Sequence, residues 1–419
     1  MDLNYLITEP KKVIKEAIKY VERSQPDIVG LTCWTVHLPF CIEFVRAYKQ
    51  KYPNVLIILG GVHASSQPEE MFKLCPADFI VRGEGEVTFV ELLRTLHNKK
   101  NFEDVNGISF RNRGKIQHNP DRELISNLDT LPMPDYNMLS PIEYYQPLNR
   151  KYVFSILASR GCPYRCIFCS ANKLWRCQRQ RSPQNIIKEI EWLINDYGLG
   201  YIRFEDDTIT MQRDWALELF KMMQNLPVSF ECLTRIDKVD HDLLREMRAA
   251  GCEGIYHGIE TASPRLLKVL KKGMPDRIND RFIKELIHEE VNLGLNPTVS
   301  AMIGIPTETR EEILQTFDLM SELKRLGAKT QLWIMTPYPD TDAIKLYNNY
   351  LVKIDRWREM KQFDVFSAVP RQAYGRFLKK YEDLIPDNWM FSNEIKNIEE
   401  LKSLYTQGAK QILGEFEFV

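Results

Sequence analysis

The sequence predicts an α/β protein with a doubly wound, Rossmann-like domain over residues 1–130 and a linker over 131–150. A partial barrel of six β-α units follows over 151–345, then a helical C-terminal region over 346–419. Three observations predict this. Short β-branched runs ending near Gly, Thr or a charged residue alternate with stretches of helical period in both halves of the chain, the pattern of parallel sheets with right-handed crossovers. A stretch rich in proline and acid separates the two series. The 419 residues are 44% hydrophobic and 27% charged, enough for two or three globular domains with real cores.

Charge and composition exclude several functions. Lys plus Arg (56) nearly balances Asp plus Glu (57), so the basic excess of a protein tracking nucleic-acid phosphates is missing. A small-molecule or peptide substrate is favoured over RNA. No apolar run approaches the ~20 residues of a membrane span, so no membrane partner is expected. The N-terminus carries no signal-peptide pattern, and nine cysteines suit a reducing, cytoplasmic setting.

In the front domain the strand candidates are 27–32, 55–61 and 77–83. Ligands of such sheets sit beyond the carboxyl ends of the strands, which makes Thr32, Gly60, Gly61 and Gly83 candidate contacts. Each glycine would equally serve a tight strand-to-helix turn. Residues 115–145 read as a connector, with Leu131-Pro132-Met133-Pro134-Asp135 at its centre.

The second domain opens with an apolar run at 152–158, followed at once by Cys162, Cys166 and Cys169 in C-x3-C-x2-C spacing. Three thiolates hold three irons of a 4Fe-4S cubane and leave the fourth open to a substrate or cofactor. Zinc would want a fourth Cys or His ligand, and nearby there is only Cys177. A disulfide would need an oxidising compartment. Ser182-Pro183 then caps a helix that ends at Gly198, and strand candidates recur at 201–204, 228–233, 254–259, 298–303 and 330–335. Sites of parallel barrels lie at the strands' carboxyl ends, where Glu205, Asp206, Asp207, Arg235, Glu260 and Gly304 stand. Helix caps and surface pairs would use the same residue types. Shared strand-end placement singles out Glu205, Arg235 and Glu260, whereas His257, inside its strand, reads as structural. The C-terminal aromatics Trp357, Phe363, Phe366, Tyr374, Phe377 and Trp389 suit core packing, and no cysteine follows Cys252.

The cysteine spacing, with an aromatic, Phe168, before the last cysteine, resembles the signature of the radical S-adenosylmethionine (SAM) enzymes. The resemblance implies that the three cysteines hold a 4Fe-4S cluster whose open iron is chelated by the amino and carboxylate groups of SAM. One electron from an external donor of flavodoxin or ferredoxin type then yields a 5'-deoxyadenosyl radical. It further implies Phe168 beside the cofactor and Glu205 and Asp206 as ammonium or hydroxyl acceptors. Arg235 becomes a carboxylate partner suited to bidentate pairing, and Glu260 a ribose or ammonium acceptor. The stretch Pro337-Tyr338-Pro339-Asp340-Thr341 matches the family's loop after the sixth strand, with Asp340 where glycine is usual.

Residues 26–31, Gly60-Gly61-Val62-His63-Ala64 and Gly83-Glu84-Gly85-Glu86 resemble the cobalamin-binding domain found in front of many such enzymes. Two departures stand out. Residues 1–5 align with that domain's second strand, which would truncate the sheet, and there is no Asp-x-His-x-x-Gly stretch to offer cobalt a histidine. The function implied is a radical enzyme, with cobalamin as a further cofactor, performing methyl transfer or another carbon-centred modification. The alternatives are a methylthiotransferase with a second cluster on Cys33, Cys41 and Cys75, and a cobalamin-independent cyclase or epimerase.

Overall fold

A computed structural model describes residues 10–138, 152–175, 177–339, 341–353, 380–384, 389–391 and 398–413. The front sheet has five strands in the order of the chain: β1 (Ile28–Thr32), β2 (Leu56–Gly60), β3 (Phe79–Val81), β4 (Ile108–Asn112) and β5 (Lys115–His118). The first three are parallel and the last two antiparallel. Successive residues point to opposite faces, and both faces are buried. Val29, Ile57, Leu59 and Ile80 pack beneath helices Pro10–Glu22 and Leu38–Lys51, while Ile58, Phe79 and Val81 meet Leu92 of helix Gly85–His97 on the other side.

Residues 115–118 correct the sequence reading of a connector from 115 onward. Arg113 and Gly114 both have positive φ (47° and 82°), the two-residue turn that matches strand twist and folds Lys115–His118 back onto β4. The pattern is short and polar, so the turn, not the strand, carried the signal.

The second sheet contains β6 (Tyr152–Ile156), β9 (Leu199–Phe204), β10 (Ser229–Leu233), β11 (Cys252–Glu260), β12 (Asn296–Ile303) and β13 (Lys329–Ile334), all parallel and in sequential order. A small antiparallel hairpin, β7 (Ser159–Arg160) with β8 (Arg179–Gln180), stands on the carboxyl end of β6. Helices close the outer face of the sheet: Ile186, Ile190 and Leu193 of helix Pro183–Tyr197 and Leu219 and Phe220 of helix Arg213–Met223 share one core with Phe154, Ile202, Phe204 and Phe230. The first of these helices begins where the Ser182 hydroxyl accepts from Asn185 N–H at 3.1 Å and ends at left-handed Gly198.

The C-terminal region is not only helical. β14 (Leu351–Lys353) pairs antiparallel with β15 (Trp389–Phe391), and helix Ile398–Leu413 lies on helix Arg310–Arg325. Tyr381 enters the core of the front domain and donates to Glu43. Residues 1–5, Asp340 and the aromatics Trp357, Phe363, Phe366, Tyr374 and Phe377 lie outside the described residues.

Candidate active site between the two sheets

The cysteine loop leaves β7 through Gly161, whose φ of +86° and close approach to the Cys177 carbonyl admit no Cβ. Its middle is clamped by backbone: Ile167 N–H donates to the Leu270 carbonyl at 3.0 Å, and the Ile167 carbonyl accepts from Ala343 N–H at 2.9 Å. Ile167 is fully buried and Phe168 packs half-buried against the same small core, with Leu266, Met302 and Met335. Cys162, Cys166 and Cys169 are free thiols, Cys166 buried and the others half-buried. Burial pushes the Cys169 thiol up to about 11 and raises that of Cys166, while Lys272 and Arg235 pull the latter back toward thiolate. Among the described residues no three His, Cys, Asp or Glu side chains converge on one metal ion. A cubane makes a different demand, because each thiolate binds its own corner.

The other predicted residues divide into open and engaged groups. Glu205 is exposed at the end of β9 and accepts from the Ser155 hydroxyl at 3.1 Å. Asp206 is buried, and its carboxylate accepts from Ala158 N–H (3.1 Å) and from the Ser159 hydroxyl. Burial lifts its pKa to about 7 against those two donors, and the side chain fastens the hairpin to β9. Arg235 is buried too: its Nε donates to Asp237 at 2.8 Å and its Nη1 to the Lys272 carbonyl at 2.8 Å, and its guanidinium lies 3.5 Å over the Tyr164 ring. Its donors are thus largely spent on Asp237 and on the Lys272 and Gly273 carbonyls, and it touches the cysteine loop through the face of the Tyr164 ring. Glu260 sits just past a shift in register with φ of +72°, and accepts from buried Lys272 at 2.6 Å. A side chain on Gly258 would collide with that pair. His257 is fully buried between the Thr234 carbonyl (3.1 Å) and Glu290 (2.9 Å), as a structural residue.

Inward-facing barrel positions escaped the sequence reading, although period-two alternation marks them. Residues 202, 204, 230, 232, 255, 299, 301 and 332 belong to the helix-side core, so their neighbours face the interior. There Tyr201 and Arg203 both donate to Glu231, and Tyr256 donates to Gln331 at 3.2 Å. Leu233 and Trp333 remain 38% and 45% exposed.

Between the front domain and the barrel lies a cleft of about 390 Å³. One wall is made by strand-end residues of the front sheet, Thr35, Val62, Ser65, Ser66, Gly83 and Glu84. The other is made by Ser170, Lys173 and Leu174 directly after the cysteine loop and by Tyr338 and Pro339 after β13. Of the predicted front-domain contacts Gly83 lines it, whereas Thr32, Gly60 and Gly61 do not. A Cβ on Gly61 (φ +88°) would stand 2.9 Å from the Cys33 carbonyl oxygen, so glycine serves the turn there. His63 is buried, with Nδ1 3.2 Å from the Thr35 hydroxyl, and burial depresses its pKa to about 4. Cys33, Cys41 and Cys75 are buried among the apolar side chains of the front core, and their thiols lie against the Trp34, Thr32 and Met71 carbonyls.

The Radical SAM superfamily model matches residues 156–320, and the B12 binding domain model matches residues 2–93. The chain belongs to the cobalamin-binding radical SAM enzymes. It is 32% identical to an uncharacterized methyltransferase of Pyrococcus horikoshii over 88% of this chain and 82% of that protein. With the anaerobic magnesium-protoporphyrin IX monomethyl ester cyclase of Cereibacter sphaeroides it shares 28% identity over 85% of this chain and 60% of that protein. The fold is that of the radical SAM methyltransferase TsrM of Kitasatospora setae, solved with cobalamin and a 4Fe-4S cluster (TM-score 0.74, 18% identity, 97% of this chain, 84% of that one). As a radical SAM enzyme the protein uses a 4Fe-4S cluster and SAM, and its B12 domain makes cobalamin the third cofactor. Its residues fit these groups: three free thiols stand at the mouth of the barrel beside two cations, and the cleft opens directly onto the helix behind Cys169. Such an enzyme needs an electron donor. Among the described residues no helix is long and apolar enough to cross a membrane.

Proposed function

We propose that this enzyme transfers a methyl group to a carbon of a small molecule, and that the cleft between the domains holds the methyl carrier next to the barrel where the radical forms. The observation that carries this reading is the shared lining of that cleft, with strand ends of the B12 domain on one side and Ser170, Lys173 and Leu174 on the other. When bound, the cluster and SAM supply a hydrogen-abstracting oxidant and cobalamin supplies a transferable methyl group. Cys162, Cys166 and Cys169 would hold the cluster, with Phe168 walling the loop. Glu205, exposed and held among the described residues by a hydroxyl, would take the ammonium of SAM, and Glu260, paired with Lys272, its ribose hydroxyls. Arg235 would act by holding Tyr164 and the loop in place. No histidine lines the cleft among the described residues, so the protein would offer cobalt no imidazole. The substrate would lie against Leu233, Tyr256 and Trp333, with Arg203 and Glu231 beneath to orient a polar group. The electron would come from a flavodoxin- or ferredoxin-type donor.

Anaerobic reconstitution tests the reading. About four irons and one cobalamin per chain are expected, together with 5'-deoxyadenosine and a product heavier by one methyl when methyl-labelled SAM and candidate small molecules are supplied. Iron near eight with no cobalamin bound would sink it.

A further inference from the structure

Arg160 and Arg179 are directly opposed across the hairpin that brackets the cysteine loop, and their side chains are only 17% and 8% exposed. Like charges at opposed positions of an antiparallel pair repel, and burial sharpens the repulsion. The charge that relieves them comes from the other domain. Glu84, 4% exposed in the turn after β3, accepts from Arg160 Nη1 at 2.8 Å and from Arg179 Nη1 at 3.0 and 2.8 Å. Its second oxygen also takes Ile125 N–H, from the segment that leaves the front domain, at 2.8 Å. Burial opposes the ionisation of Glu84, but the hydrogen bonds from Arg179 and Arg160 prevail and hold its carboxyl below the usual range. Glu86 adds a second, more exposed contact to Arg160 Nη2 at 2.6 Å.

The hairpin itself is two residues long on each side, so its own ladder fixes it weakly. Two buried carboxylates hold it from opposite directions. Asp206 takes Ser159 and Ala158 from the barrel side, and Glu84 takes Arg160 and Arg179 from the B12-domain side. Glu84 also lines the cleft.

We propose that Glu84 is a positioning residue: its buried carboxylate locks the hairpin carrying the cluster ligands onto the B12 domain and so fixes the spacing between the two cofactor sites. The functional meaning of that spacing rests on the reading of methyl transfer above, but the lock is testable without any cofactor.

Hydrogen exchange on the apoprotein is the first measurement. In Glu84→Gln the amides of residues 159–180 should exchange about ten- to a hundredfold faster, the change expected for losing charge-assisted contacts. The core of helix Pro183–Tyr197 should keep its protection. Glu86→Gln should change hairpin exchange by less than about threefold, as an exposed pair would. The double variant Glu84→Gln/Arg179→Gln should be no worse than Glu84→Gln alone, because both ends of one interaction are gone. In protein loaded with both cofactors, magnetic coupling between the reduced cluster and Co(II) should change in Glu84→Gln and keep its wild-type value in Glu86→Gln. Unchanged hairpin exchange in Glu84→Gln, an equal loss of protection in helix Pro183–Tyr197, or additive effects in the double variant would overturn the proposal. Should Glu84→Gln fail to fold, Glu84→Asp, which keeps the charge but shortens its reach, carries the same comparison. Failure to bind cobalamin at all would count against methyl transfer while leaving the exchange result intact.

Discussion

The strand ends of the two sheets do different things with the same geometry. At the mouth of the barrel, charged side chains converge and then hold one another: Arg235 on Asp237 and Tyr164, Lys272 on Glu260, Asp206 on the hairpin. At the mouth of the front sheet the turns after β1 and β2 offer small and hydroxyl groups, Thr35, Val62, Ser65 and Ser66, while the charges of the same lining, Arg82, Glu84, Asp121, Arg122 and Glu123, stand beside and after β3, and what the cleft offers is room. A site that must stabilise charge in a dry interior needs its dipoles fixed beforehand, and pinning each charge to a neighbour does that. A site that must admit a large carrier needs small groups and space. The two domains thus divide the work, and the cysteine hairpin is the piece they share.

That division can be broken from either side. The largest effect is expected for Cys162→Ala/Cys166→Ala/Cys169→Ala, which should lose all cluster iron and all SAM cleavage while the front domain still binds cobalamin, as iron analysis and equilibrium dialysis would show. Loss of cobalamin binding in the same variant would mean that the two sites do not stand apart. A smaller effect is expected for Glu260→Gln. Removing a charge-assisted contact should weaken SAM binding by roughly 1.5–3 kcal/mol, or about ten- to a hundredfold in Kd, with cobalamin affinity unchanged. Normal SAM affinity would assign Glu260 to Lys272 alone.

The smallest effect belongs to the front domain and depends on pH. Burial holds the pKa of His63 at about 4, below the roughly 6.5 of an unfolded chain, so the unfolded state takes up its proton first as the pH falls. The stability this contributes is present above about pH 6.5 and is lost progressively between there and about pH 4. Between pH 7 and pH 5 the wild type should lose about 2 kcal/mol more than His63→Gln in urea unfolding. Equal losses would place the imidazole in contact with water after all.

Much of this was legible in the residues. The β-branched runs ending near Gly, Thr or a charged residue marked the first three strands of the front sheet and all six of the barrel. Three cysteines at fixed spacing marked the candidate cluster loop, because a ligand set confined to eight residues needs no fold to bring it together. Lys115–His118 was missed as a strand because its side chains are mostly polar and its pairing is set by the Arg113-Gly114 turn. Glu205, Asp206 and Glu260 were placed at strand ends from sequence, but which stays open and which is spent depends on partners 12 to 50 residues away, Lys272 for Glu260 and Ser155 for Glu205. Lys173, Leu174 and Ser65 carry no motif, and only the seating of one domain on the other makes them walls of a cleft.

The sequence by itself determined the two α/β units, the three candidate thiol ligands and the absence of a nearby histidine motif for cobalt, because periodicity and short-range spacing are properties of the chain. The tertiary structure alone decided that Glu84 meets Arg160 and Arg179, residues 76 and 95 positions away, and that Arg235 is pinned beneath Tyr164. A charge on a chain has no assigned partner. It acquires one only when burial removes water and leaves the nearest opposite charge as the cheapest way to stay ionised.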